Sequence, residues 1–156
     1  MGLRGNLHAL DRWTHYQRAE DALRKPLGEW LAAHTPKHAT VAMEAIGYQG
    51  YYSRRRTIDL AGLVSPAVLR AHREHDSNAE AFAAVLAELR PDYLVLRSYE
   101  VDENRSFHGG PLFAHAQARA DFDARYRELR RFELAQPHRW GELGRLTLYE
   151  RVRSAP

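Results

Sequence analysis

Residues Thr40–Pro66 read TVAMEAIGYQGYYSRRRTIDLAGLVSP. Thr40–Ile46 is an apolar run of strand length. Gly47 and Gly50 bracket a tight turn that carries Tyr48. Arg56–Leu60 is a second strand, alternating polar and apolar at its start, and Gly62 with Ser65-Pro66 closes it.

On the N-terminal side, Trp13–His34 has a helical rhythm, with Trp13, Tyr16, Leu23, Leu27, Trp30 and Leu31 mostly three and four residues apart. Pro26 inside that pattern must kink the helix or start a second one, because it lacks an N–H and clashes with the preceding turn. Thr35-Pro36 ends the helix. On the C-terminal side, Pro66 to His72 reads as a short helix with proline in its first turn. Asn78–Leu89 follows as an amphipathic helix with Phe82, Val85, Leu86 and Leu89 on one face, capped by Asp76 or Ser77. Tyr93–Arg97, YLVLR, is the most strand-like run. Asp102–Gly110 reads as a polar loop and Pro111–Ala124 as a helix with Leu112, Phe113, Ala116 and Phe122 inside. Tyr126–Leu134 is a charged strand expected near a sheet edge, and Gln136–Leu143 is a loop. Gly144–Val152 alternates strictly, with Leu146, Leu148 and Glu150 facing one way and Thr147, Tyr149 and Arg151 the other, which fits an antiparallel strand with one wet face. The expected fold is a single Rossmann-like α/β domain of about five mixed strands, the first three mostly parallel, flanked by helices. Residues 1–36 form its N-terminal helical segment and residues 37–156 the α/β domain.

Composition bounds the function. The chain has 156 residues, 44% of them hydrophobic, which suits one globular domain. Net charge is only +3; the sole lysines are Lys25 and Lys37, and the other 21 basic residues are arginine. With no cysteine, disulfides and thiolate metal sites are excluded. No run reaches the roughly 18 apolar residues that span a bilayer, and MGLRGNLHALDRW lacks the apolar core of a signal peptide. The chain as written is expected to be soluble and untargeted, and cytoplasmic unless a segment upstream of Met1 carries it elsewhere.

Several constellations carry candidate chemistry. Glu44 and Asp59 sit on neighbouring strands, where paired carboxylates do acid–base work or hold a cation. Asp59, near the C-terminal end of a parallel strand, lies where open α/β sheets place ligands; equally, its carboxylate can hydrogen-bond the turn into Gly62. Gly47–Tyr52 lacks the third glycine of a dinucleotide fingerprint, and no Gly-Lys-Ser/Thr follows it. Tyr48, Tyr51 and Tyr52 with Arg54, Arg55 and Arg56 combine stacking faces and positive charge, a mixture that suits sugars, lipid phosphates or nucleic acid; without a second basic–aromatic cluster, nucleic acid is the least favoured. His72 and His75 are three apart, and a metal site there needs a third ligand such as His108 or His115. His34 and His38 are separated by Pro36, which spoils helical spacing. The ligand-binding candidates are Glu44, Tyr48, Tyr52, Arg54 and Asp59. No catalytic or metal set is complete, and nothing calls for a cofactor.

Gly28-Glu29-Trp30-Leu31 with Thr35-Pro36, then Ala39-Thr40-Val41-Ala42, Ile46-Gly47, Tyr51-Tyr52-Ser53, Ile58-Asp59-Leu60-Ala61-Gly62-Leu63-Val64 and Pro91-Asp92-Tyr93-Leu94-Val95 occur in an order that resembles one family. It is the soluble C-terminal domain of bacterial polytopic membrane glycosyltransferases of the lipid-phosphosugar-dependent GT-C type. The resemblance covers roughly residues 20–100. It implies an extracytoplasmic, non-catalytic domain that docks on a membrane domain upstream of Met1, or that binds a glycan or lipid-linked acceptor. In that family catalysis belongs to acidic residues between N-terminal membrane helices, so no catalytic residue carries over. Two alternatives stand beside it: a small α/β enzyme acting on a nucleotide or phosphosugar through Asp59 and an arginine of 54–56, and a nucleic-acid-binding module.

Overall fold

The computed structural model describes residues 14, 17, 20–106, 108–134 and 144–152. Trp13 and Tyr16 of the expected first helix, and the loop Gln136–Leu143, lie outside the described residues.

A π-helical turn, Glu20–Arg24, leads into α1, Lys25–His34, with Pro26 in the first turn of the α-helix, where a missing N–H is harmless. The elements that follow are β1 (Thr40–Met43), α2 (Ile46–Ser53), β2 (Arg56–Asp59), α3 (Pro66–Glu74), α4 (Asn78–Leu89), β3 (Tyr93–Arg97), α5 (Ser98–Asp102), α6 (Ala116–Arg125), β4 (Tyr126–Glu133) and β5 (Arg145–Arg151). They build one five-stranded mixed sheet in the order β2-β1-β3-β5-β4. β1 pairs in parallel with both β2 and β3, whereas β5 runs antiparallel to β3 and to β4.

Period-2 alternation sends side chains to two cores. Val41, Met43, Tyr93, Val95, Leu146 and Leu148 meet Leu23, Leu27 and Leu31 of the N-terminal helical segment on one face. Ala42, Ile58, Leu94, Leu96 and Tyr149 meet Val68, Phe82, Val85 and Phe122 from α3, α4 and α6 on the other. The sheet is therefore covered on both sides, as parallel strands require. Among the described residues no helix is long and apolar enough to cross a membrane.

Four expectations are corrected. The GYQGYY turn is helix α2; its two glycines do not supply the reversals, which fall instead at Ala45 (φ 50°) and Arg54 (φ 51°) on either side. The helix is stabilised by a buried face, Gln49 and Ser53, packed against α1. The helix expected from Pro111 starts only at Ala116, where His115 Nδ1 accepts from the Ala118 N–H at 3.1 Å. Leu112 and Phe113 are buried all the same, in irregular backbone held by Asn104, which exchanges two hydrogen bonds with the Phe113 backbone at 2.7 and 2.9 Å. The loop assigned from Asp102 is preceded by a short helix, α5, that the sequence did not announce. Finally, β5 has no wet face, because it is flanked by β3 and β4 and covered by both cores. β4 is the edge strand expected, and only Tyr126 of it is buried.

α1 and α2 touch at Gly28. A Cβ there would stand 2.7 Å from Tyr52 Cβ and 2.8 Å from the Gln49 carbonyl oxygen, and backbone cannot yield cheaply. Gly28→Ala is expected to lower the unfolding free energy by about 2 kcal/mol in urea titrations despite alanine's better helix propensity.

Candidate functional site

β1 and β3 lie side by side in the sheet, and their onward connections leave in opposite directions, β1 toward β2 and β3 toward β4 and β5. Open α/β sheets bind ligands outside the carboxyl ends of strands at such a reversal. Three charged residues stand at that point. Glu44 follows the last residue of β1, Arg97 ends β3, and Glu100 lies in α5 just beyond it. All are buried, at 7%, 9% and 3% exposure.

Their contacts are unequal. The Arg97 guanidinium forms an ion pair with Glu44 Oε2 and donates to the Tyr99 hydroxyl. Glu100 Oε2 accepts the Arg97 backbone N–H at 2.7 Å. The Glu44 main chain is fixed separately, because the buried Gln49 amide donates to its carbonyl oxygen. Glu44 Oε2 has the ion pair but no aligned hydrogen bond among the described residues. The backbone turns out of β1 through Ala45 in the left-handed region, a conformation that costs a non-glycine residue about 1 kcal/mol or more and clusters at functional sites.

Burial dominates the electrostatics. It pushes the Glu44 carboxyl from 4.5 up to about 7; Arg97 pulls it down, and Glu100 and, more weakly, Asp59 push it further up. Burial raises Glu100 too, against the hydrogen bond and charge of Arg97. Burial also works against the Arg97 charge, but Glu44 and Glu100 outweigh it and hold that guanidinium ionised. One cation thus serves two carboxyl groups, and burial raises the pKa of both.

Glu44 and Glu100 open into a cavity of about 30 Å³, enough for one or two waters or the tip of a ligand. Its apolar walls include Leu60, Val68, Phe82 and Leu96, and its polar rim is His72, His108, Asn78 and Ser106. The rings of His72, from α3, and His108 lie 4.5 Å apart, tilted by 55°. Among the described residues no group of three His, Asp or Glu side chains is arranged to hold a metal ion.

The residues singled out from the sequence separate in space. Glu44 lines the cavity. Asp59 does not: its carboxylate accepts the N–H groups of Ala61 (3.1 Å), Leu63 (2.8 Å) and Val64 (3.1 Å), so it organises the turn into Gly62. Its own N–H donates to Ser65 Oγ at 2.8 Å, which covers the outer edge of β2. Tyr48 and Tyr52 pack together on α2, ring centroids 5.6 Å apart, with Lys25 over Tyr52 and Asp21 near Tyr48. Arg54 is exposed at the end of α2. Its neighbour Arg55 is structural, donating to Thr35 Oγ1 and to the carbonyls of Ala32 and Thr35 at 2.7–2.9 Å. Arg97 and Glu100 were missed as parts of the site, whereas His108 was named from the sequence as one option for a third ligand beside His72 and His75, and of these its ring is the one that approaches His72. The available signal was that a charged residue follows the apolar run TVAM and another ends YLVLR, at the same end of two expected parallel strands.

Fold and site together define a mixed α/β protein with a buried carboxyl–arginine cluster at its strand-reversal point. The chain belongs to the family described as Domain of unknown function (DUF8728), whose model matches residues 7–149. No curated protein matches it, and no solved structure does.

The raised Glu44 pKa fixes the sign of a pH effect. Between pH 4.5 and about 7 the folded state holds a proton that the unfolded state releases. Stability from this group is therefore complete at low pH and is lost as pH rises through 7, by up to about 3 kcal/mol. Urea midpoints near pH 5 and near pH 8 are expected to fall in that order, and Glu44→Gln to reduce the difference, Glu100 contributing with the same sign.

Proposed function

We propose that this chain is an extramembranous binding domain related to the C-terminal regions of membrane glycosyltransferases. It takes a hydroxyl-rich ligand, a glycan or the sugar of a lipid-linked acceptor, at the carboxyl ends of β1 and β3. The observation that carries the reading is Glu44: a buried carboxyl, paired with Arg97, that lines a cavity at the strand reversal. Sugar hydroxyls both donate and accept, and a carboxyl near its pKa can reciprocate either way. The cavity is too small for a whole sugar ring, so it receives one hydroxyl while the rest of the ligand lies on the rim formed by His72, Asn78 and His108. The ordered blocks between Gly28 and Val95 supply the glycosyltransferase relation, and the 2-1-3 order of the parallel strands fits a Rossmann-like half-sheet. In this reading the domain contributes recognition, and transfer chemistry belongs to a membrane domain joined to it.

Backbone amide shifts in the presence of mono- and disaccharides and their 1-phosphates test the idea. The expected response centres on Met43–Ala45 and Arg97–Glu100, saturates, and weakens at least tenfold in Glu44→Ala. Absence of saturable shifts across the panel, or a response centred on Tyr48–Arg54 instead, would overturn it.

A further inference from the structure

We propose that His72 and His108 bind a divalent transition metal at the rim of the strand-end cavity, with the remaining coordination positions open to water or to ligand oxygens. This goes beyond glycan recognition and does not depend on it.

The geometry has two parts. First, the two imidazoles come from separate parts of the fold, α3 and the segment between α5 and α6, and converge to 4.5 Å between ring centroids. That spacing lets one nitrogen of each ring reach a shared cation. Second, one nitrogen of His72 is already committed, donating to the Leu60 carbonyl. A carbonyl bonded to one ring nitrogen fixes tautomer and ring orientation and leaves the other nitrogen as a lone-pair donor, the usual support for a metal-ligating histidine.

The surroundings select the kind of ion. Glu44 and Glu100 line the same cavity, but both are engaged with Arg97 and do not complete the coordination shell. With two protein ligands the site is weaker than a structural zinc site, and its open positions are the ones a bound hydroxyl or phosphate oxygen would occupy. Imidazole donors favour zinc, nickel and copper over magnesium and calcium.

Zinc chloride titrated into the whole chain, with magnesium chloride as the parallel probe, tests the assignment. Two-dimensional spectra of the histidine rings and the thermal midpoint are followed together. The expected result is a saturable shift or broadening of the His72 and His108 rings by zinc and not by magnesium, with a rise in midpoint. Single variants His72→Ala and His108→Ala are each expected to weaken the apparent affinity at least tenfold. His75→Ala, three residues from His72 and exposed, is expected to leave it unchanged. Zinc shifts that survive in both single variants, shifts abolished by His75→Ala, or no ring response to zinc would each overturn the proposal. Because the wild-type ring spectrum is read directly, a variant that fails to fold leaves the test intact. Saccharide binding measured without metal is a separate readout, so either proposal can fail alone.

Discussion

A single buried guanidinium organises one pole of this protein. Arg97 ends the central strand β3, where both faces of the sheet are already covered, and its charge has no route to water comparable to that of a surface arginine. Glu44 approaches it from β1 and Glu100 from α5. Two carboxyl groups and one cation cannot all be ionised cheaply in a dry setting, and burial raises the pKa of both carboxyls, that of Glu44 to about 7. The left-handed Ala45 and the Gln49 hydrogen bond to the Glu44 carbonyl hold this arrangement in place rather than relieve it. Replacing a buried ion pair by well-packed apolar residues is often neutral or stabilising, and the proposed recognition role is one reason to keep the charges.

The topology explains why the cluster sits there. Strand β1 lies between β2 and β3, and the chain leaves β1 and β3 in opposite directions, so a cavity remains at their carboxyl ends, lined in part by Ser106, His108 and Leu112 of the connection after β3. Asp59, at the matching end of β2, has no such gap; the following loop folds back and takes its carboxylate for three backbone N–H groups. Two acidic residues at equivalent strand ends thus have different fates, one facing a cavity and one absorbed by a turn.

The sequence reading recovered what local pattern controls. The runs TVAM, RTID, YLVLR and RLTLYER alternate or stay apolar over strand length, and Asn78–Leu89 repeats with helical spacing, so these elements fall where periodicity puts them. GYQGYY misled because its glycines suggested reversals, whereas Gly50 serves close packing on β2: a Cβ there would stand 3.3 Å from Thr57 Cγ2. α5 is five residues long and carries no periodicity to read. Glu44 was legible as a charge ending an apolar strand. Its partnership with Arg97 and Glu100, and that of His72 with His108, depend on which strands are neighbours and which loop folds over them, information that no local window contains.

The central claim is that the Glu44–Arg97 pair is retained for ligand recognition at some expense of stability. The most direct measurement is the unfolding free energy and saccharide response of the double variant Glu44→Leu/Arg97→Met, which replaces the buried pair by apolar side chains. The account predicts a protein within about 1 kcal/mol of the parent, or more stable, whose β1 and β3 ends no longer respond to sugars. A double variant that loses several kcal/mol, or one that still binds, would contradict it.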